Sequence, residues 1–482
     1  MRDAFAGYWK MTSGVLLIAL ALRLYFALAC PHVAGDSPIY ETFAHNLLEF
    51  GTYSHHQSQD HSAPKPSMIR VPGYPIMLAA VFATAGKENE TAVRTVQAVL
   101  DTFTCVLIAL IVFEISSGEA RRRRRLAHWT LVLSAGCPFS ANYSASILTE
   151  VPTTLLWTAA TLFGLRALKN PSVRGNWLIC GLLTGGATLF RPESGILIGI
   201  LGLVLFLKEM SRRAWKPIIK GACLMGVGLV LVLSPWAARN ALTFHSFQPL
   251  APTYAQDKDE SVTYGYYNWC RSWLWKYRDV TQYIFPVETE NLPVGPLPSG
   301  SFDGEDQKQT ILRMIRSHNE QGNYVTPESD RTFQSIAIEN RRHYPLRYYI
   351  LLPALRSFAM WFTPRVEILN LEGQLLPLSG AWANDRTDFS LSLFLFLINI
   401  LYIALGTWGT VFILLRSRSR SFNDSEFLGC FALLAIIIVR TSFFAVFAFP
   451  EPRYVLEAYP AVIALGAFAF SNRRFNRIAS GV

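Results

Sequence analysis

The chain has 482 residues, of which 51% are hydrophobic and only 16% charged. Soluble domains carry about 25% charged residues, so the balance excludes a disordered chain and a soluble enzyme of ordinary composition. The formal net charge is +10, from 44 Lys+Arg against 34 Asp+Glu, and its meaning depends on where the basic residues fall.

In chain order, apolar runs lie near residues 12–31, 92–116, 126–142, 150–168, 177–190, 194–208, 218–236, 390–415, 427–449 and 454–470. A membrane-spanning helix needs about 20 mostly apolar residues. The pattern predicts an all-α polytopic membrane protein with about ten spans. The first run, Met11 to Cys30, lacks a small-residue cleavage signal and reads as a retained span. Basic residues fall between alternate runs: Arg2 and Lys10; Arg121 to Arg125; Arg166, Lys169 and Arg174; Lys208, Arg212, Arg213, Lys216 and Lys220; Arg416, Arg418 and Arg420; and Arg473, Arg474 and Arg477. Short loops rich in Lys and Arg stay cytoplasmic. About ten spans with both ends inside satisfy all of these loops, so the arginine run is a topology signal rather than a nucleic-acid site.

Residues 176–208 are apolar except for Arg191-Pro192-Glu193. One helix of that length would measure about 50 Å, against a hydrocarbon core of about 30 Å. A hairpin of two short spans is expected, with Arg-Pro-Glu at its turn. The stretch 348–362 is apolar but carries Arg356. Counting it as a span would invert the later basic loops, so it reads as an interfacial helix. The expected organisation is an N-terminal transmembrane catalytic module at 1–236, with a first outer loop at 32–91. An outer loop domain at 237–389 and C-terminal transmembrane helices at 390–482 follow. The seven cysteines have no paired spacing and indicate neither a disulfide framework nor a zinc site.

Acids and cations collect at the ends of the runs that this topology places outside. Asp36 and Tyr40 follow the first run. Arg70-Val-Pro-Gly-Tyr74-Pro75 closes the first loop. Glu150 precedes Pro152 at the start of the fourth run, and Arg191 and Glu193 mark the hairpin turn. Pro235-Trp236 with Arg239-Asn240 ends the seventh run, and Glu451, Arg453 and Tyr454 open the tenth. Each could merely end a helix. Together, at one depth, they suit displacement at a sugar carbon linked to a lipid phosphate. A carboxylate would take the acceptor's proton and arginines would hold the phosphate.

Gly35-Asp36-Ser37 with Tyr40, Asn46-Leu47-Leu48, Gly51 and Arg70 to Pro75 resemble the first outer loop of membrane glycosyltransferases of the C-type fold. The branch is that of the protein O-mannosyltransferases and lipid A aminoarabinose transferases. Thr149-Glu150-Val151-Pro152, Phe190-Arg191-Pro192-Glu193, Pro235-Trp236 with Arg239-Asn240, and Glu451-Pro452-Arg453-Tyr454 are similar to later motifs. The resemblance covers most of residues 12–240 and the last two spans. It implies a polyprenyl-phosphate sugar donor, a hydroxyl-bearing acceptor and inverting transfer on the non-cytoplasmic side of a membrane, such as the bacterial inner membrane facing the periplasm. Asp36 and Glu150 fall on its catalytic acidic positions. Arg70, Arg191, Arg239 and Arg453 would bind donor phosphate, and Tyr40, Tyr74 and Glu193 would contact substrate. Many relatives carry two adjacent acids where Ser37 follows Asp36 here, so no metal ligand is assigned and a divalent metal stays open. The alternative is a polytopic transporter or lipid flippase without transfer chemistry. Such proteins place charges near mid-bilayer and show inverted repeats.

Other signals are weaker. His45, His55, His56 and His61 with Asp60 fit no strong zinc template. The aromatic stretch Tyr264 to Trp275 reads first as core packing or a headgroup belt, and second as a sugar platform. Arg23 and Arg440, inside apolar runs, call for structural partners. Asn89-Glu-Thr91 and Asn142-Tyr-Ser144 match the glycosylation sequon by spacing alone.

Overall fold

The computed structural model describes residues 2–58, 62–210, 213–253, 256, 262–417 and 421–471. Asp60, His61, Arg212, Arg418, Arg420, Arg473, Arg474 and Arg477, which entered the metal and topology readings, lie outside them. Among the described residues the fold is helical without strands. One isolated parallel bridge joins His32 to Ser146.

Among the described residues, six helices are long and apolar enough to cross a membrane: Trp9–Ala29, Glu90–Ile115, Trp215–Phe244, Arg386–Arg416, Ser425–Phe447 and Pro452–Ser471. The chain is an integral, multi-pass membrane protein. Helix is the form that satisfies every backbone polar group within a single segment in lipid. Helices Ala120–Ala135, Glu150–Lys169, Arg174–Phe190 and Ile196–Met210 lie where four further spans are expected; they fall short of that length and apolarity. The hairpin expected around Arg-Pro-Glu is there, with a 3-10 turn at Pro192–Gly195 between the last two. A short apolar helix, Gly73–Ala85, lies where the sequence reading has only loop.

The chain forms two compact units. The first comprises residues 1–257, 364–437 and 456–482. Its centre is Glu90–Ile115, packed against Trp9–Ala29, Ala120–Ala135 and Glu150–Lys169. Arg23, fully buried, donates to Asp101 at 2.8 Å and to the carbonyls of Ala19, Ala135 and Ser134. This is the structural partner that the sequence called for. Arg174–Phe190 crosses Trp215–Phe244 at near backbone contact. A Cβ on Gly228 would stand 2.6 Å from the Leu178 carbonyl oxygen, and one on Gly181 would strike the Met225 backbone. Small residues at such crossings let membrane helices pack closely.

The second unit comprises residues 258–363 and 438–455. Tyr264–Arg271 packs on Pro327–His343. Tyr266, Trp269 and Trp273 form its core with Tyr283, Ile311, Ile315 and Phe333, so these rings of the aromatic stretch serve packing. Arg356 donates to the carbonyls of Leu274 and Arg271, and Arg440 to that of Tyr454 at 2.9 Å.

Candidate active site

Asp36 stands immediately before the helix Ser37–Phe50, whose second residue is Pro38. Its carboxylate does not cap that helix and instead accepts from Arg70 Nη2 at 3.0 Å. Tyr40 follows one helical turn later, on the same face. Burial foremost, then the Asp36 carboxylate, pushes its hydroxyl up to about 12, while Arg70 and Arg191 pull the other way. Tyr40 is therefore neutral at ordinary pH and able to donate a hydrogen bond. Burial works against the charge of Arg70, but Tyr40 and Asp36 outweigh it and its pKa rises.

Glu150 is the first residue of Glu150–Lys169 and is 1% exposed. A carboxylate suits a helix N-terminus, where backbone N–H groups are unpaired. Pro152 lies in that first turn, where its missing N–H costs nothing. Arg191 ends Arg174–Phe190 in extended conformation, because Pro192 disfavours helical geometry in the residue before it. Its Nη1 donates to Glu150 Oε1 at 2.6 Å and its Nε to Glu193 Oε1 at 2.6 Å. Glu457, fully buried, lies 3.5 Å from the same Nε.

The two ion-pair groups belong to one place. Tyr40 feels the charges of Asp36, Arg70, Glu150 and Arg191 together. The segments carrying the acids are stitched to each other. The His32 N–H donates to the Ala145 carbonyl, Ser146 Oγ to the His32 carbonyl and Ser37 Oγ to the Ile147 carbonyl, at 3.0–3.2 Å. Below them the buried Tyr74 donates to Gln97 at 2.8 Å, and Gln97 donates to the Ser146 carbonyl. The rings of Tyr40 and Tyr74 meet edge to face at 5.1 Å. Arg70 is brought towards Arg191 by Gly73. A Cβ there would lie 2.5 Å from the Leu189 carbonyl oxygen, so only glycine lets the Val-Pro-Gly turn rest on the end of Arg174–Phe190.

Arg239 sits elsewhere along the same loop. It donates to the carbonyls of Ser67 and Tyr53 and lies over the rings of Tyr53 and Trp236. It holds the first loop rather than facing Asp36. Arg453 belongs to the second unit, where it pairs with Glu451 at 2.7 Å. Three residues escaped the sequence reading. Glu457 is a lone carboxylate inside an apolar run, a costly placement that signals a partner or a function. Glu367 accepts from Tyr143 Oη at 2.7 Å, and the buried Arg365 lies over the ring of Tyr459 at 4.5 Å. Burial and Glu367 hold the Tyr143 hydroxyl well above its usual range. Nothing in the sequence around Pro364 marks it as returning to the first unit.

Among the described residues no group of three or more His, Cys, Asp or Glu could hold a metal ion. Asp36 faces a guanidinium, and its neighbour is Ser37. Asn89 caps Glu90–Ile115 and Asn142 is buried, so both sequon asparagines have structural surroundings.

Residues 65–238 match the family described as dolichyl-phosphate-mannose-protein mannosyltransferase. No curated protein matches the chain. Among solved structures, the archaeal oligosaccharyltransferase AglB from Archaeoglobus fulgidus, in complex with an inhibitory peptide and a dolichol-phosphate, is similar with a TM-score of 0.53 and 14% identity. The match covers 99% of this chain and 52% of that one. The same organism's oligosaccharyltransferase tethered with an acceptor peptide gives 0.50 and 14%, over 96% and 49%. ArnT from Cupriavidus metallidurans bound to undecaprenyl phosphate gives 0.42 and 13%, over 99% and 79%. The chain thus spans about half the length of the oligosaccharyltransferase. The likeness to the archaeal oligosaccharyltransferase shows a shared fold, in agreement with the fold that the motif resemblance implies.

Proposed function

We propose that this chain is a membrane glycosyltransferase. It moves a sugar from a polyprenyl-phosphate donor to a hydroxyl of a protein, lipid or glycan acceptor on the non-cytoplasmic side, with inversion. The observation that carries this reading is the Asp36–Arg70 pair beside Tyr40, with Glu150 on Arg191 next to it. The family match over 65–238, with its lipid-phosphate sugar donor, supports it.

The step is a single displacement. Asp36 accepts the proton of the acceptor hydroxyl as its oxygen bonds to the anomeric carbon. The bond from that carbon to the phosphate oxygen breaks, and its electron pair leaves with the polyprenyl phosphate. Attack opposite the leaving group inverts the centre. Arg70 moves from Asp36 to the phosphate and stabilises the charge that gathers there. Tyr40, neutral, donates to donor or acceptor oxygen. Glu150 orients the acceptor. A monophosphate leaving group on arginine needs no metal in this scheme.

The reading is tested by transfer of radiolabelled mannose from dolichyl-phosphate-mannose, with undecaprenyl-phosphate-mannose in parallel, into an acceptor extract by the protein in lipid discs. Transfer by the chain and its loss in Asp36→Asn are expected. Absence of transfer from both donors would sink the proposal. The transporter alternative draws on the buried Arg23–Asp101 pair, since charges near mid-bilayer line transport routes. That pair is closed in by Ala19, Ser134 and Ala135 carbonyls, which suits a structural clamp better.

A further inference from the structure

Arg191 is held by carboxylates from three separate places: Glu150 at the start of its helix, Glu193 in the 3-10 turn and Glu457 in the last span. Both the Nη1 and the Nε of this guanidinium are engaged, by Glu150 and by Glu193. A phosphate brought to Arg191 would have to displace these carboxylates. Arg191 is thus poorly placed as a phosphate ligand and well placed as a clamp. Its two short bonds, 2.6 Å each, fix Glu150 and Glu193 at once. Glu457, from an element far along the chain and wholly buried, lies 3.5 Å from the Nε that donates to Glu193. A buried carboxylate is retained only where its charge is compensated.

We infer that Glu457 is a positioning residue for transfer: through Arg191 it fixes Glu150 beside Tyr40 and Asp36, and it touches no substrate. The inference rests on the glycosyltransferase reading and deepens it. Phosphate recognition then falls to Arg70, which pairs with Asp36 and is partly exposed.

The test uses the full chain in lipid discs with dolichyl-phosphate-mannose and undecaprenyl-phosphate-mannose as probes. Glu457→Gln keeps the shape and removes the charge. We expect kcat to fall roughly ten- to a hundredfold, as for small misplacements of reacting groups, with the donor KM within about twofold. Glu457→Asp, which keeps the charge, should recover part of the loss. The double variant Glu150→Gln with Glu457→Gln should be hardly slower than Glu150→Gln alone, because the two act as one unit. A merely structural glutamate would give additive losses instead. If Glu457→Gln does not fold, the Glu457→Asp kinetics and their combination with Glu150→Gln carry the same comparison. Full turnover in Glu457→Gln, additive losses, or a defect confined to donor KM would each overturn the inference while the transferase reading stands. No transfer by the unsubstituted chain overturns both.

Discussion

Arg70 Nη2 donates to Asp36 Oδ1 at 3.0 Å, with side-chain exposures of 23% and 27%. The pair is closed, yet both members can be reached by a substrate. Exposed pairs of this kind contribute only about 0–1 kcal/mol to stability. Asp36→Asn should therefore leave the thermal midpoint in detergent nearly unchanged while lowering turnover by roughly a hundredfold or more. Glu150→Gln should also slow transfer. Normal turnover in both variants would remove the proposed base and its neighbour from the mechanism.

If Arg70 takes the donor phosphate, Arg70→Ala should weaken donor binding by about 1.5–3 kcal/mol, the usual worth of a hydrogen bond to a charged group. Arg70→Lys should recover part of it, keeping the charge but not the planar fork. Retention of radiolabelled donor by the purified variants measures this. Equal affinity in Arg70→Ala and the unsubstituted chain would argue that phosphate is held elsewhere.

Gly73→Ala tests how the two ion-pair groups are brought together. The added methyl would meet the Leu189 carbonyl oxygen at 2.5 Å, and backbone cannot yield as a side-chain end can. A loss of about 1–3 kcal/mol is expected, read as a lower thermal midpoint, with transfer reduced as Arg70 shifts. A variant as stable and active as the parent would show that this contact does not set the site.

Asp36, Arg70, Glu150 and Arg191 were legible because motif residues at the ends of apolar runs announce themselves by their cost. The fold class was legible for the same reason, since long apolar runs admit few solutions. Glu457 was hidden by its run, whose hydropathy outweighs one acid. Arg365 and Glu367 were hidden because their segment reads as loop and acquires meaning only when it packs against Tyr143 and Tyr459. The Gly73 contact could not be read either, since a glycine's neighbours are set by tertiary approach.

Glu41, five residues past Asp36, offers a pH signature. Burial foremost, then Glu90, pushes its carboxyl from 4.5 up to about 7, with Arg94 opposing. The folded state thus holds a proton that the unfolded chain has released between those values. Stability must fall as pH rises through that window, and the penalty is full above about 7 and absent below 4.5. Glu41→Gln should raise the thermal midpoint in detergent at pH 8 and leave it unchanged at pH 4. An equal change at both would exclude titration of Glu41 as the cause.

Sidedness follows from the basic loops. In a cysteine-free background, Arg121→Cys and Asp306→Cys replace exposed residues. A membrane-impermeant thiol reagent applied outside should label position 306 alone, and position 121 only after permeabilisation. Labelling of both from one side would refute the proposed topology.

The Arg23–Asp101 bond also constrains how the protein is made. The arginine emerges within the first apolar helix, and its acidic partner follows 78 residues later. A charged side chain at the centre of an inserting helix costs about 2.5–3.5 kcal/mol at the translocon. The first helix therefore gains its full preference for lipid only once Glu90–Ile115 has been synthesised and has docked. Biogenesis of the N-terminal half should proceed by pairwise release of these two helices rather than one at a time, and a nascent chain truncated before Asp101 should remain at the insertion machinery or slip back.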